Sequence, residues 1–342
     1  MQNQKEKNNN TIILEYSEIK LHLENVLKQK GFSDERASVL AGIFADNNLY
    51  GKDSHGVNRF EQFINAVING YVKVDSQPAK ITANNAFEQW DGNLGAGPLN
   101  AKLCTERAVA LAEKHGIGCV ALRNTNHWMR GGTYGWQAAE AGYILICWTN
   151  AIPTMPPWGS DEPKLGNNPL VIAIPKEGGH LVLDMAMSQY SYGKLETLLQ
   201  SGSAANYYGG YDKDGNLTKD PAEIIATKRA LPVGLWKGAG LALMLDLIAA
   251  ILSGGRSSYK IGKEKVEVGV SQIFIAVKPG LGTDTGFTGQ IINETLSDLA
   301  LAHKHENNEI FYPGEMSYKK RKENLQQGIP VDKKIWNKIL KI

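Results

Sequence analysis

Trp236-Lys237-Gly238-Ala239-Gly240-Leu241-Ala242-Leu243 is the stretch on which the fold turns. It opens like a nucleotide-binding turn, with glycines ahead of an apolar helix. The dinucleotide fingerprint needs a third glycine, and Leu243 stands in its place. A loop rather than a strand also precedes it. Gly95 and Gly97 fail in the same way, with Asn100 at the third position. A standard Rossmann unit is therefore not supported. What remains is a helix N-terminus with glycines and Lys237, whose free amides suit a phosphate. Leu241 to Leu252 is apolar nearly all round, which predicts a helix buried in a core.

Around this helix the texture is mixed α/β. Short apolar runs bounded by turn residues predict strands at 119–122, 144–148, 170–174, 181–183 and 273–277. Pro98 at a first turn and Gly116 as a stop predict a helix over 98–115. Further helical patterns lie at 136–141, 288–304 and 331–340. Helices and strands do not alternate regularly enough for a parallel doubly wound sheet. Nearer the N-terminus, Ile19, Leu23, Val26 and Leu27 keep helical spacing after Ser17, and Val39, Leu40, Ile43 and Phe44 do so after Ser33. Phe60, Phe63, Ile64 and Val67 make a third stripe, so residues 15–70 read as a small helical unit. The first ten residues are polar and predict disorder. Residues 200–222, rich in Gly, Asn, Asp and Tyr, read as a long excursion.

The 342 residues suit about two domains. With 37 basic and 35 acidic side chains, net charge is +2, which gives no support for a nucleic-acid partner. The run Lys319-Lys320-Arg321-Lys322 reads as a solvated helix face. Cys104, Cys119 and Cys147 are too few and too scattered for a disulfide framework or a zinc cluster, and point to a reducing compartment. The N-terminus has no apolar signal region, and no uninterrupted apolar run reaches about 18 residues. A soluble cytoplasmic chain with no membrane partner is the expectation.

One local run carries chemistry: Lys52-Asp53-Ser54-His55-Gly56-Val57-Asn58-Arg59. If a helix starts near Ser54, His55 and Arg59 sit one turn apart on one face. A histidine passes protons near neutral pH, and an arginine grips a carboxylate with two parallel hydrogen bonds. The competing reading is a capped helix start with a surface arginine. Asn126-His127-Trp128-Met129-Arg130-Gly131-Gly132 follows a strand, which places His127 on a strand-end loop. A packed turn competes there. Trp148-Thr149-Asn150 and Gly166-Asn167-Asn168-Pro169 also end apolar runs and compete with ordinary turns. Asp212, Asp214 and Asn216 begin like a calcium loop, but Leu217 replaces its required glycine and Pro221 intrudes. His303 and His305 lack further ligands nearby, so no metal is expected.

Taken together, these segments resemble the malate/L-lactate dehydrogenase family that lacks the Rossmann fold, the sulfolactate dehydrogenase-like family. The resemblance rests on Asp53 to Phe60, on Glu88-Gln89-Trp90-Asp91, on Ala121 to Trp136, and on Ile146 to Asn150. It continues through Met155-Pro156-Pro157-Trp158-Gly159, Asp214 to Lys219 and Ser271 to Ala276, and covers nearly the whole chain after the tail. Asn167, Ala151, Thr154 and Gln189-Tyr190 depart from the residues expected in relatives.

The resemblance implies an α/β fold, non-Rossmann, with a largely antiparallel mixed sheet as cofactor domain packed on a helical domain. Residues 1–12 would be a disordered tail. Residues 13–75 would form the helical domain, joined by segments at about 193–258 and 318–342. Residues 76–192 and 259–317 would form the NAD-binding domain. It implies reduction of a 2-oxo acid with NAD as cofactor (NADH, with NADPH open) in a homodimer. By the same match His55 is the proton donor and Arg59 holds the substrate carboxylate, with His127, Thr149 and Asn150 lining the pocket. His180-Leu181-Val182-Leu183-Asp184-Met185-Ala186, Trp236-Lys237 and Gly314-Glu315-Met316 would contact the cofactor, Lys237 steadying its pyrophosphate. The Trp128-Met129-Arg130 and Pro156-Pro157-Trp158 runs tilt the substrate toward a sugar acid. Malate, lactate, sulfolactate and ureidoglycolate are the rival substrates of the family, and a non-catalytic sugar-acid or nucleotide-binding protein is the rival of another class.

Overall fold

The computed structural model describes residues 10–342 except 265, 281, 283, 284, 306 and 307. The expected disordered tail falls outside the described residues up to residue 9. From Thr11 the chain is already ordered: Thr11–Leu14 pairs antiparallel with Ile329–Asp332 and ties the two ends of the chain together. The helix expected over 331–340 accordingly starts only at Lys333, with the Asp332 carboxylate accepting from the Lys334 and Ile335 amides as its cap.

Seven strands make the main sheet. They are β1 (Ala79–Asn84), β2 (Phe87–Asp91), β3 (Ile117–Thr125), β4 (Ile144–Thr149), β5 (Leu170–Ile174), β6 (Leu181–Met185) and β7 (Val270–Val277). Their spatial order is β1-β2-β3-β7-β4-β5-β6. Only β2 and β3 pair in parallel, joined by a crossover through the helix Gly97–His115. Every other pairing in this sheet is antiparallel. The expected non-Rossmann, largely antiparallel mixed sheet is what the chain forms.

The apolar runs are continuous because the central strands are covered on both faces. Val120, Leu122, Leu145, Cys147, Phe274 and Ala276 meet the helices Gly97–His115 and Gly132–Glu140. Their alternates Ala121, Trp148 and Ile273 meet Ala239, Ala242, Leu245 and Ala249 of the helix Trp236–Ser253. Gly118 lets the first of these helices approach closely, since a Cβ there would strike the Ala108 carbonyl.

Two expectations change here. The resemblance places the segment at about 193–258 with the helical unit, whereas its helix Trp236–Ser253 packs on the sheet. It is also not buried all round: Leu243, Met244, Leu247 and Ile251 are exposed, the last by 73%. The helix is long and apolar enough to cross a membrane by composition alone. Its inner face nevertheless follows the sheet, and its buried Asp246 accepts hydrogen bonds from Asn150 and Ser258 at 2.8 Å each.

The helical unit has its own core. Ile19, Leu23, Leu40, Phe44, Phe60 and Ile64 are fully buried there with Trp336 and Ile339 from the C-terminal helix. Phe44 meets Phe60 edge-on at 5.2 Å. The first helix starts at Tyr16 behind Glu15 rather than after a Ser17 cap, whereas Ser33 caps the second as expected.

Candidate active site

A cavity of about 640 Å³ opens where the turn 52–59 of the helical unit faces the ends of the sheet strands. Lys52, Ser54, His55, Arg59, His127, Thr149, Asn150, Asp184 and Glu267 are among its lining residues.

His55 does not share a helix with Arg59. Asp53–His55 is one 3-10 turn, and the α-helix Val57–Ile68 starts after it. Gly56 makes the break, with φ −98° and ψ −131°. The cause lies in the preceding helix, Asp34–Leu49. Asn48 Oδ1 accepts from the Val57 amide at 2.7 Å, and its Nδ2 donates to Asp53 at 2.8 Å. A Cβ on residue 56 would collide with that Asn48 amide. Asn47 donates to the His55 carbonyl at 2.8 Å and accepts from Thr133 on the sheet side at 2.9 Å. Both asparagines are buried with their amide oxygen and nitrogen each bonded, so the turn is bolted to both halves of the molecule.

The two histidines meet. The His55 and His127 rings lie nearly parallel with centroids 5.9 Å apart. His127 Nδ1 accepts from the Met129 amide at 3.0 Å, which leaves Nε2 as its protonated nitrogen. His55 Nδ1 lies 3.0 Å from Ser54 Oγ, so its Nε2 is the position open to a ligand. Burial pushes His55 down to about 4; Asp184 opposes this, while Arg59, Arg130 and Lys52 add to it. Burial, with the Arg59 and His55 charges, holds His127 well below the usual histidine range. Both rings are thus neutral at pH 7 in the free protein.

Arg59 has no ion-pair or side-chain hydrogen-bond partner among the described residues. A guanidinium held ready at a cavity wall suits an incoming carboxylate. Asp184 accepts from the Gly132 amide at 2.9 Å, with Arg130 Nε 3.9 Å away. Thr149 and Asn150 line the cavity, but their side chains point their bonds into protein. Thr149 Oγ1 donates to the Asn150 carbonyl at 2.9 Å, and Asn150 bonds Asp246, the Arg256 carbonyl and the Ser271 amide.

A nicotinamide cofactor has a fitting wall. Val182, Leu183, Asp184 and Ala186 line the cavity beside Tyr312, Pro313, Gly314 and Met316. The Val182 amide donates to the Pro313 carbonyl at 2.8 Å. Gly314, at φ 97°, packs so closely that a Cβ would lie 2.8 Å from the Val182 nitrogen. Gly314 begins the helix Glu315–Gln327 without a side-chain cap, and the Met316 and Ser317 amides have no acceptor among the described residues. Free amides at a helix start suit a phosphate. His180, Leu181, Met185, Glu315, Trp236 and Lys237 do not line the cavity, and Trp236 is 64% exposed at a helix start.

Asn47, Asn48 and Glu267 carry no motif in the sequence, and Lys52 stands in the histidine run without a role of its own. The buried asparagines carry no periodic signal, and Glu267 sits in a charged loop that reads as surface.

A family model described as malate/L-lactate dehydrogenase matches residues 14–340. The chain is 45% identical over 326 residues to the 2,3-diketo-L-gulonate reductase of Citrobacter koseri, covering 95% of this chain and 98% of that protein. The enzyme of the same name from Klebsiella pneumoniae matches equally, at 45% over 326 residues. Among solved structures, sulfolactate dehydrogenase from Methanocaldococcus jannaschii superposes with TM-score 0.86 and 31% identity, covering 96% of this chain and 95% of that one. Malate dehydrogenase from Entamoeba histolytica superposes with TM-score 0.91 and 26% identity, covering 97% of each chain.

Proposed function

This chain belongs to the malate/L-lactate dehydrogenase family, and on that premise we propose that it reduces 2,3-diketo-L-gulonate at C2 to 3-dehydro-L-gulonate. One observation carries the reading: an Arg59 without a side-chain partner among the described residues and an open His55 Nε2 share a cavity with a wall that fits a nicotinamide cofactor. When bound, that cofactor in its reduced form supplies a hydride to the carbonyl carbon. Val182, Leu183, Asp184, Ala186, Gly314 and Met316 would hold it.

Arg59 receives the C1 carboxylate and so fixes which face of the C2 carbonyl is presented, a positioning effect. The bound carboxylate also offsets the Arg59 charge that disfavours the imidazolium. Asp184 favours the same protonated form. His55 then donates its Nε2 proton to the carbonyl oxygen as that oxygen gains charge, a step worth about a hundredfold to ten-thousandfold. The product is the 2-hydroxy acid, and His55 is left neutral, its resting form.

NADH is the proposed donor, with NADPH the alternative. The exposed apolar face at Leu243, Met244, Leu247 and Ile251 supports the proposal of a homodimer. Three free thiols support a reducing, cytoplasmic compartment.

The test is oxidation of NADH and NADPH with 2,3-diketo-L-gulonate, pyruvate, oxaloacetate and sulfopyruvate. Preference for the sugar acid is expected. A preference for oxaloacetate or sulfopyruvate would move the substrate to malate or sulfolactate, and no turnover of any oxo acid would leave a binding protein. His55→Ala is expected to lose turnover with cofactor affinity nearly intact, and retained turnover would assign the proton to His127.

A further inference from the structure

The mechanism above leaves one charged group on the cavity wall without a task. Glu267 comes from the loop before β7 and lines the cavity with Ile152, Thr154 and Val270. Its Oε2 accepts from the Ile152 amide at 2.9 Å. Its other oxygen accepts from no protein group among the described residues and is not sealed away. No cation lies within ion-pair distance of it there; burial raises its proton affinity, while the Ile152 amide and the Arg59 charge favour the carboxylate. One oxygen is therefore anchored, and the other is offered to whatever enters.

We propose that Glu267 sets substrate choice, accepting hydrogen bonds from the hydroxyls of a sugar-acid tail and repelling a second anionic group. The inference rests on the cavity being the 2-oxo acid site. With the substrate's C1 carboxylate on Arg59, the far end of the molecule extends along the same wall. A polyhydroxy chain brings O–H donors, which are what an unfilled carboxylate oxygen needs. Oxaloacetate and sulfopyruvate bring a second negative charge to that region, in a partly desolvated cavity where like charges interact strongly. Both contributions act in the same direction, so specificity comes from an attractive and a repulsive element together. A purely structural Glu267 would need only the Ile152 bond, which a glutamine also makes.

That difference gives the test. Glu267→Gln keeps an acceptor for the Ile152 amide and removes the charge. The ratio of kcat/KM for 2,3-diketo-L-gulonate over oxaloacetate is expected to fall by about tenfold or more in E267Q, mostly through KM. Competitive inhibition gives a readout without turnover. Threonate and malate are four-carbon 2-hydroxy acids; threonate carries hydroxyls at C3 and C4, whereas malate has a CH2 at C3 and a second carboxylate at C4. Their inhibition constants should move in opposite directions in E267Q. If both substrates lose activity by one common factor, or both inhibitors shift alike, Glu267 is structural and the proposal is overturned. If the unmodified enzyme turns over no oxo acid, the reading of the site falls and takes this one with it. Turnover with an unchanged ratio removes Glu267 alone.

Discussion

The low affinity of His55 for its proton makes a quantitative prediction. Burial and the charges of Arg59, Arg130 and Lys52 push it down to about 4, with only Asp184 opposing. At pH 7 that is three units below the working pH, so about one free enzyme molecule in a thousand carries the imidazolium. The proposed reduction, with His55 as proton donor, needs that acid form. The logarithm of kcat/KM, which reports the free enzyme, should therefore fall with slope −1 from about pH 5 to 9 without a plateau. The substrate carboxylate changes the balance once bound. A unit charge about 5 Å away at an effective dielectric of 20 contributes roughly 3 kcal/mol, or about two pK units. The limb in kcat should then sit near pH 6, some two units above the limb in kcat/KM. Oxidation of the hydroxy acid needs the neutral ring and should hold its kcat/KM down to about pH 5. Initial rates in a constant-ionic-strength buffer series measure all three profiles. A single limb near 6.5 in both parameters would refute the burial argument. A slope −1 limb that persists in His55→Ala would refute His55 as the group responsible.

Other perturbations test separate parts of the site. Arg59→Lys keeps the charge but loses the bidentate grip, and should cost about 2 kcal/mol, roughly thirtyfold, in kcat/KM for the oxo acid while leaving cofactor affinity unchanged; steady-state kinetics and fluorescence titration read the two. Gly314→Ala places a Cβ 2.8 Å from the Val182 nitrogen at φ 97°, so cofactor affinity should fall while the substrate-side chemistry keeps its pH profile. Asn48→Ala leaves the buried Val57 amide without its 2.7 Å acceptor and should destabilise the fold by about 1–3 kcal/mol, read by denaturant unfolding, with kcat reduced more than KM rises. Acidification alone should also lower stability: the unfolded chain protonates His55 and His127 below about pH 6.5, whereas the folded chain resists, so stability falls as pH drops from there.

Much of this fold was legible because the physics is local. Residues 119–122, 144–148, 170–174 and 273–277 read as strands since burial on both faces leaves no polar alternate to blur the run. Gly97–His115 was legible from Pro98 and Gly116 at its two ends. The strand Thr11–Leu14 was not, because four ordinary residues become a strand only through a partner more than 300 positions away. The break at Gly56 was hidden for a related reason: the acceptor that forces it, Asn48, belongs to another helix. On the helix Trp236–Ser253 composition could not separate a face that meets the sheet from one that meets solvent, since both are apolar. His55, Arg59 and His127 were visible as residue types suited to proton and carboxylate chemistry. The meeting of His55 and Arg59 with His127, 72 and 68 positions further along the chain, was not.

The turn that carries His55 is held almost entirely by neutral amides. Asn47 and Asn48 fix its backbone and its first side chain, and Asn324 in turn donates to the Leu49 carbonyl at 2.9 Å and to the Asn48 carbonyl at 3.3 Å. A salt bridge would position the turn as firmly, but each charge so close to the imidazole would move its proton affinity by a unit or more. Amide dipoles give the same rigidity with a far smaller field. Proton affinity at His55 is then left to the few charges that face it, Asp184 on one side and Arg59, Arg130 and Lys52 on the other. Of these, Arg59 is the one whose charge the carboxylate of the proposed substrate would cancel. In the proposed mechanism binding and protonation are therefore linked through a single residue: the carboxylate that Arg59 would orient is also the charge that would ready His55 to donate.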